Sequence, residues 1–184
     1  MERSATIMGA IIGDTIGSTY EFNPTKDYNF PLYDDAMSYT DDSIMTIAVA
    51  DWILNDGSLS PKKLIHTMRY YGNKYNPPKG GYGHLFSEWL RHPEMKAYNS
   101  WGNGSAMRVS AIGFAFPTLD KTLKVAEISA AVTHNHPEGI KGAQATAAAI
   151  FLTRKGESKE TIRKYITETF GYDLNRTCEE IRPT

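Results

Sequence analysis

Apolar residues in this chain recur at helical spacing almost from end to end, and that constrains the fold more than any other feature. Leu64, Ile65, Met68 and Tyr71 follow three- and four-residue steps, and so do Ile162, Tyr165, Ile166 and Phe170. Alternating runs of β-branched residues, which mark strands, are nearly absent. The chain therefore reads as a single all-α domain over residues 1–184, with about seven or eight helices. Helices are predicted from about Ser4 to Tyr20, Asp42 to Asn55, Pro61 to Gly72 and Leu85 to Arg91, and then over Ala106 to Phe116, Leu119 to Val132, Glu138 to Arg154 and Lys159 to Phe170. Pro61 takes a first helical position, where its missing N–H costs nothing. Gly57, Gly72 and Gly171 read as stops. Residues 23–39 read as a long ordered loop, and residues 73–84, with Pro77-Pro78 and Gly80-Gly81-Tyr82-Gly83, as a second one.

The first helix carries Gly9, Gly13 and Gly17 on one face. Each costs roughly 0.5–1 kcal/mol against alanine in a helix interior. Three on one face predict a close approach by another backbone or by a ligand. Asp14 lies beside that face. It reads either as a support for a neighbouring polar site or as a helix acid paired with a backbone donor.

Composition excludes several classes. Net charge is −1, which leaves no electrostatic footprint for nucleic acid or an anionic membrane. The apolar stretch from Ile7 to Ile16 is broken by Gly9, Gly13 and Asp14. It is too short to span a bilayer and lacks the form of a signal peptide. Cys178 is the single cysteine, so no internal disulfide forms and a reducing, cytoplasmic setting is expected. Asn103-Gly104-Ser105 and Asn175-Arg176-Thr177 match the glycosylation pattern. Without an export signal, both read as chance.

The chemistry concentrates in Tyr39-Thr40-Asp41-Asp42-Ser43, directly before the apolar run Ile44 to Leu54. Adjacent like charges repel unless a cation lies between them. A hydroxyl and two carboxylates are hard oxygen donors suited to Mg²⁺, Mn²⁺ or Ca²⁺. The competing reading makes Thr40 or Asp41 a helix N-cap, with the other acid favoured by the helix dipole.

Two further segments carry polar groups in suggestive settings. Gly102-Asn103-Gly104-Ser105 precedes a predicted helix. Backbone N–H groups there, unshielded by side chains, make an anion cradle; a plain turn and cap is the alternative. Arg108 either adds charge to that cradle or pairs structurally. Thr133-His134-Asn135-His136-Pro137 precedes the alanine-rich helix. His134 and His136 do not make a zinc site, because no second histidine pair has ligand spacing and Cys178 is the only thiol.

Together, four segments resemble the ADP-ribosylglycohydrolase family, which includes the dinitrogenase reductase-activating glycohydrolases. They are Gly9 to Phe22, Tyr39 to Ser43, Gly102 to Arg108 and Thr133 to Gly139, in that order. The resemblance implies a compact orthogonal multi-helix bundle and removal of ADP-ribose from acceptor groups with two Mg²⁺ or Mn²⁺ ions. It assigns Thr40, Asp41 and Asp42 as metal ligands. Glu21 takes a metal-ligand or acid/base role, and Asp42 shares in proton transfer. The resemblance places Gly102, Asn103, Gly104 and Ser105 at the diphosphate, and His134 at the phosphates or ribose. Tyr82 is a candidate to stack on adenine.

The chain also departs from the family. The family's second acidic segment, D-x-D-[ST] in glycine-rich sequence, has no counterpart among residues 1–184, and neither do the family's C-terminal helices. Mg²⁺ takes about six oxygens, more than Thr40, Asp41, Asp42 and Glu21 supply for two ions. The expectation is an incomplete domain with exposed apolar surface. Three accounts stand: completion by a second polypeptide bearing D-x-D-[ST], a weak or inactive truncation, or an inactive module that binds ADP-ribose or another protein.

Overall fold

The computed structural model describes residues 7–181. Among them the chain is helical throughout, with nine α-helices and one 3₁₀ turn and no strand. The helices are α1 (Met8–Gly17), α2 (Asp41–Asn55), α3 (Pro61–Lys74), α4 (His84–Arg91), α5 (Ser110–Ala115), α6 (Leu119–Ala131), α7 (Pro137–Lys155), α8 (Lys159–Phe170) and α9 (Cys178–Ile181). The 3₁₀ turn is Asn103–Ser105.

The core forms where α2, α3, α5, α6 and α7 meet. Met45, Val49, Trp52, Leu64, Met68, Trp89, Ile112 and Val125 are buried there. The alanines of α7, among them Ala143, Ala147 and Ala148, let α5 and α6 lie close against it. A second cluster joins Ala145, Ala148 and Ile166, with Ile162, Tyr165 and Phe170 packed against them. The apolar stripes read from α3 and α8 are thus the buried ones.

Several boundaries differ from the sequence reading. α3 runs through Gly72 instead of stopping there. Gly72 is a point of close approach: a Cβ on it would sit 2.6 Å from Leu90 Cδ2 on α4. The helix predicted from Ala106 begins only at Ser110, after a tight turn. α9 carries no periodic apolar signal and was not expected. The start predicted for the first helix, at Ser4, lies outside the described residues. Gly171 does stop α8, with φ 72°.

α1 departs most from expectation. It has no buried residue. Gly9, Gly13 and Gly17 are exposed, and a Cβ on any of them would meet nothing within 4 Å. The close approach predicted from these glycines is not made by the described residues. Met8 and Ile12 on the same helix are 46% and 52% exposed. α1 is held instead through its polar side, against the start of α2.

Candidate active site

The first polar group forms where α1 meets the N-terminus of α2. Thr40 is the N-cap of α2, and its side chain accepts from the Asp42 N–H. Asp14 reaches across from α1 and accepts four hydrogen bonds. They come from the Thr40 N–H (2.9 Å), the Thr40 hydroxyl (2.5 Å), the Ser43 N–H (3.1 Å) and the Ser43 hydroxyl (2.5 Å). Two orphan donors at the helix start are thereby satisfied by one carboxylate from another element. Asp14 thus pairs with backbone donors, as one reading of it expected, and it also fixes the Thr40 side chain.

Beside that cap, the Asp41 carboxylate meets its own backbone N–H, and the Asp42 carboxylate meets Thr40 and its own backbone N–H. Both are half-buried in the first turn of α2. Burial pushes the Asp41 carboxyl up to about 6, and the negative charges of Asp42, Glu21 and Asp14 add to the shift. Asp42 is raised as well, first by burial and then by Asp14 and Glu21. Glu21 is exposed and lies against the loop after α3. Gly80 (φ 79°) makes room for it, since a Cβ there would lie 3.0 Å from Glu21 Oε2. Four acids from three separate segments, Asp14, Glu21 and the Asp41–Asp42 pair, therefore share one negative field.

The fit to divalent ions is one-sided. The donors are all hard oxygens, which suits Mg²⁺ or Mn²⁺. Yet among the described residues no three acids gather closely enough to hold an ion unaided. Thr40, Asp41 and Asp42 offer oxygens of the right kind for such an ion, too few to hold one alone.

A second group forms around the 3₁₀ turn. As the opening residues of a helical turn, Asn103, Gly104 and Ser105 have no intrahelical carbonyl to donate to. Gly102 and Asn103 are exposed, whereas Ser105 is buried and its hydroxyl donates to the Gly139 carbonyl at 2.7 Å. That bond ties the turn to the start of α7. His134 is buried behind the turn, and its Nε2 would lie 3.0 Å from a Cβ on Gly104. Arg108 is fully buried, and it donates to the Ser129 carbonyl (2.5 Å) and the Thr133 hydroxyl (3.0 Å). Its hydrogen-bond partners are thus neutral oxygens, so its charge persists beneath the turn. Burial and that charge hold His134 down to about 4. The turn is therefore backed by a cation and a neutral imidazole, a setting that favours an anion.

The two groups are tethered through Thr46 on α2, whose hydroxyl donates to the Met107 carbonyl at 3.2 Å. Thr40, Asp41, Asp42 and Glu21 thus fall in one group, and Gly102, Asn103, Gly104, Ser105 and His134 in the other. Tyr82 sits with the first group instead of the turn. Its ring packs against Phe86 at 5.4 Å and belongs to the core rim. Its hydroxyl is buried without a hydrogen-bond partner among the described residues, and burial pushes it up, with Asp41's charge second. Sequence reasoning overlooked Trp101. It is 76% exposed, directly before Gly102, and its ring lies 6.1 Å from that of His136. Its adjacency to the glycine turn was the available signal. A cavity of about 580 Å³ lies apart from both groups, between α3 and α6.

A family model described as ADP-ribosylglycohydrolase matches residues 4–182. The chain is 30% identical to human "ADP-ribosylhydrolase ARH3", over 95% of its own length and 56% of that protein's. It is 28% identical to an uncharacterized protein of Archaeoglobus fulgidus, over 96% of its length and 63% of the relative. Against "ADP-ribosylarginine hydrolase Tri1" of Pseudomonas putida it is 26% identical, over 84% of this chain and 47% of the other. The chain spans about half the length of the curated relatives it matches.

Proposed function

Because the chain belongs to the ADP-ribosylglycohydrolase family, we propose that it forms the substrate-facing part of a metal-dependent hydrolase that cleaves ADP-ribose from an acceptor. The observation that carries this reading is the half-buried Asp41–Asp42 pair, with Asp41 pushed up to about 6 beside Glu21 and Asp14. Carboxylates crowd this way at a cost, and a cation relieves it.

In the proposed reaction, water attacks the anomeric carbon, the glycosidic bond breaks and the acceptor leaves with a proton. Bound Mg²⁺ or Mn²⁺ supplies polarisation of the ribose hydroxyls or of the water. Thr40, Asp41 and Asp42 would hold the ions on this side. Asp14 takes the Thr40 proton in a hydrogen bond, which leaves an oxygen lone pair for coordination. Asp42, whose proton affinity is raised, or exposed Glu21 moves a proton. The N–H groups of Gly102 to Ser105 bind the diphosphate, with the Arg108 charge behind them, and His134 gives one further contact. Exposed Trp101 is better placed than Tyr82 to stack on adenine, because the Tyr82 ring is engaged with Phe86.

The one-sided metal flank supports completion by a polypeptide bearing the D-x-D-[ST] ligands. Open α1 glycines and exposed Met8 and Ile12 offer a surface for it. The same flank also favours a second reading, an ADP-ribose-binding module without catalysis. Calorimetric titration of ADP-ribose, with and without Mn²⁺, tests both on the chain alone and with such a complement. Binding that Mn²⁺ strengthens, with hydrolysis only after the complement is added, is the expected result. No ADP-ribose binding in any arm would overturn the proposal. Binding without hydrolysis in every arm selects the module.

A further inference from the structure

We propose that Thr133 is a positioning residue for His134: braced by Arg108, its hydroxyl donates to His134 Nδ1 and fixes the tautomer whose Nε2–H offers a proton to an oxygen bound at the 102–104 turn. The role assigned to that oxygen rests on the reading of the turn as a diphosphate site; the tautomer itself does not.

The argument is one of donors and acceptors. A guanidinium has donors only. Arg108 therefore gives a hydrogen bond to Thr133 Oγ1 at 3.0 Å, and the hydroxyl keeps its own proton to give elsewhere. A threonine at a helix end commonly gives that proton to the carbonyl four residues back. Here that carbonyl is Ser129's; Arg108 donates to it at 2.5 Å, and Thr133 makes no hydrogen bond to it among the described residues. The other partner is His134 Nδ1, at 2.8 Å. Tyr98 is the remaining neighbour: its backbone N–H donates to the Thr133 carbonyl at 3.2 Å, and its phenol also interacts with the Thr133 hydroxyl. A phenol that gives its own proton to the second Oγ1 lone pair leaves the threonine proton to Nδ1. Nδ1 thus accepts, so the single proton of the neutral ring resides on Nε2.

The geometry gives that proton a direction. Nε2 lies 3.0 Å from where a Gly104 Cβ would be and 3.9 Å from that of Gly102. Glycine at these positions keeps the space in front of the ring open. Burial and the neighbouring guanidinium hold the ring neutral, so its contribution is a directed hydrogen bond and not a charge. The buried Arg108 has accordingly a second task beside its charge: it donates to the Ser129 carbonyl and to Thr133 Oγ1, and so orients the Thr133 proton towards Nδ1.

The test is two-bond ¹H–¹⁵N correlation NMR of the histidine rings in the full chain, with His134 assigned by its loss in His134→Gln. The expected wild-type pattern is an unprotonated Nδ1 and a protonated Nε2. Thr133→Val should mix or reverse the pattern and weaken ADP-ribose binding about tenfold, about 1.4 kcal/mol. Thr133→Ser should restore both. A protonated Nδ1 in the wild type, or an unchanged tautomer in a folded Thr133→Val, overturns the proposal. Should Thr133→Val not fold, the wild-type and Thr133→Ser spectra decide, and a protonated Nδ1 in either is fatal. The expected tautomer without any ADP-ribose binding would instead sink the diphosphate reading and leave the lock standing.

Discussion

The Asp41 side chain shows how one residue can carry conflicting demands. Its proton affinity in the fold, about 6, exceeds the 3.8 of an unperturbed aspartate, with burial the largest cause. The folded state therefore binds more protons than the unfolded state between those values. Stability contributed by the protonated form is present below about pH 4 and is lost as pH rises towards 6. Asp41→Asn removes that penalty. It should raise stability at pH 7 by about 1 kcal/mol, after discounting for solvent screening, and make no difference at pH 3.5. Thermal melts at the two pH values check this. Added Mn²⁺ should raise the melting temperature of the wild type and not that of Asp41→Asn. A substitution at Gly104 acts on the other group. Gly104→Ala places a methyl 3.0 Å from His134 Nε2 and should cut ADP-ribose affinity at least tenfold, about 1.4 kcal/mol, with a melting temperature close to that of the wild type. Isothermal titration calorimetry reads the loss.

At the scale of elements, α1 is joined to the domain by polar bonds where one would expect an apolar face. Asp14 alone accepts two backbone and two hydroxyl donors from the start of α2, and no residue of α1 is buried. Asp14→Ala should cost about 2–4 kcal/mol by leaving those donors unpaired. Hydrogen exchange should show α1 and the first turn of α2 losing protection before the core around α7. The glycines of α1 answer to a different partner. Gly13→Ala meets nothing within 4 Å and gains helix propensity, so it should stabilise the isolated chain by about 0.5–1 kcal/mol. If the open face receives a complement, the same change should weaken that association. Melting curves and a binding titration on one variant separate the two effects.

For the molecule as a whole, the two polar groups come from separate stretches of the sequence, residues 14–42 and 102–134, and are linked through α2, which packs against both α1 and α5. The double variant Asp41→Ala with Asp42→Ala should abolish Mg²⁺-dependent hydrolysis by the completed enzyme while helicity by circular dichroism stays nearly unchanged, since Thr40 and Asp14 still cap α2. Loss of the fold would instead favour capping as the only role of the acids. Much of this was legible in the chain itself. Helix periodicity, the proline and glycine punctuation and the Thr40-Asp41-Asp42 motif are local patterns, and local physics governs them. Gly72 was misread for the same reason: glycine ends helices and also admits close neighbours, and only Leu90 reveals which applies. The sequence by itself determined the helical class, the stripes that form the core and the four segments that carry the polar residues. Only the tertiary structure decided that Asp14 braces Thr40, that Trp101 is exposed beside the turn, and that Arg108 and Thr133 converge on His134. Those outcomes depend on distances between residues 21 to 29 positions apart, and hydrophobic spacing specifies which faces pack without specifying which polar atoms meet across them.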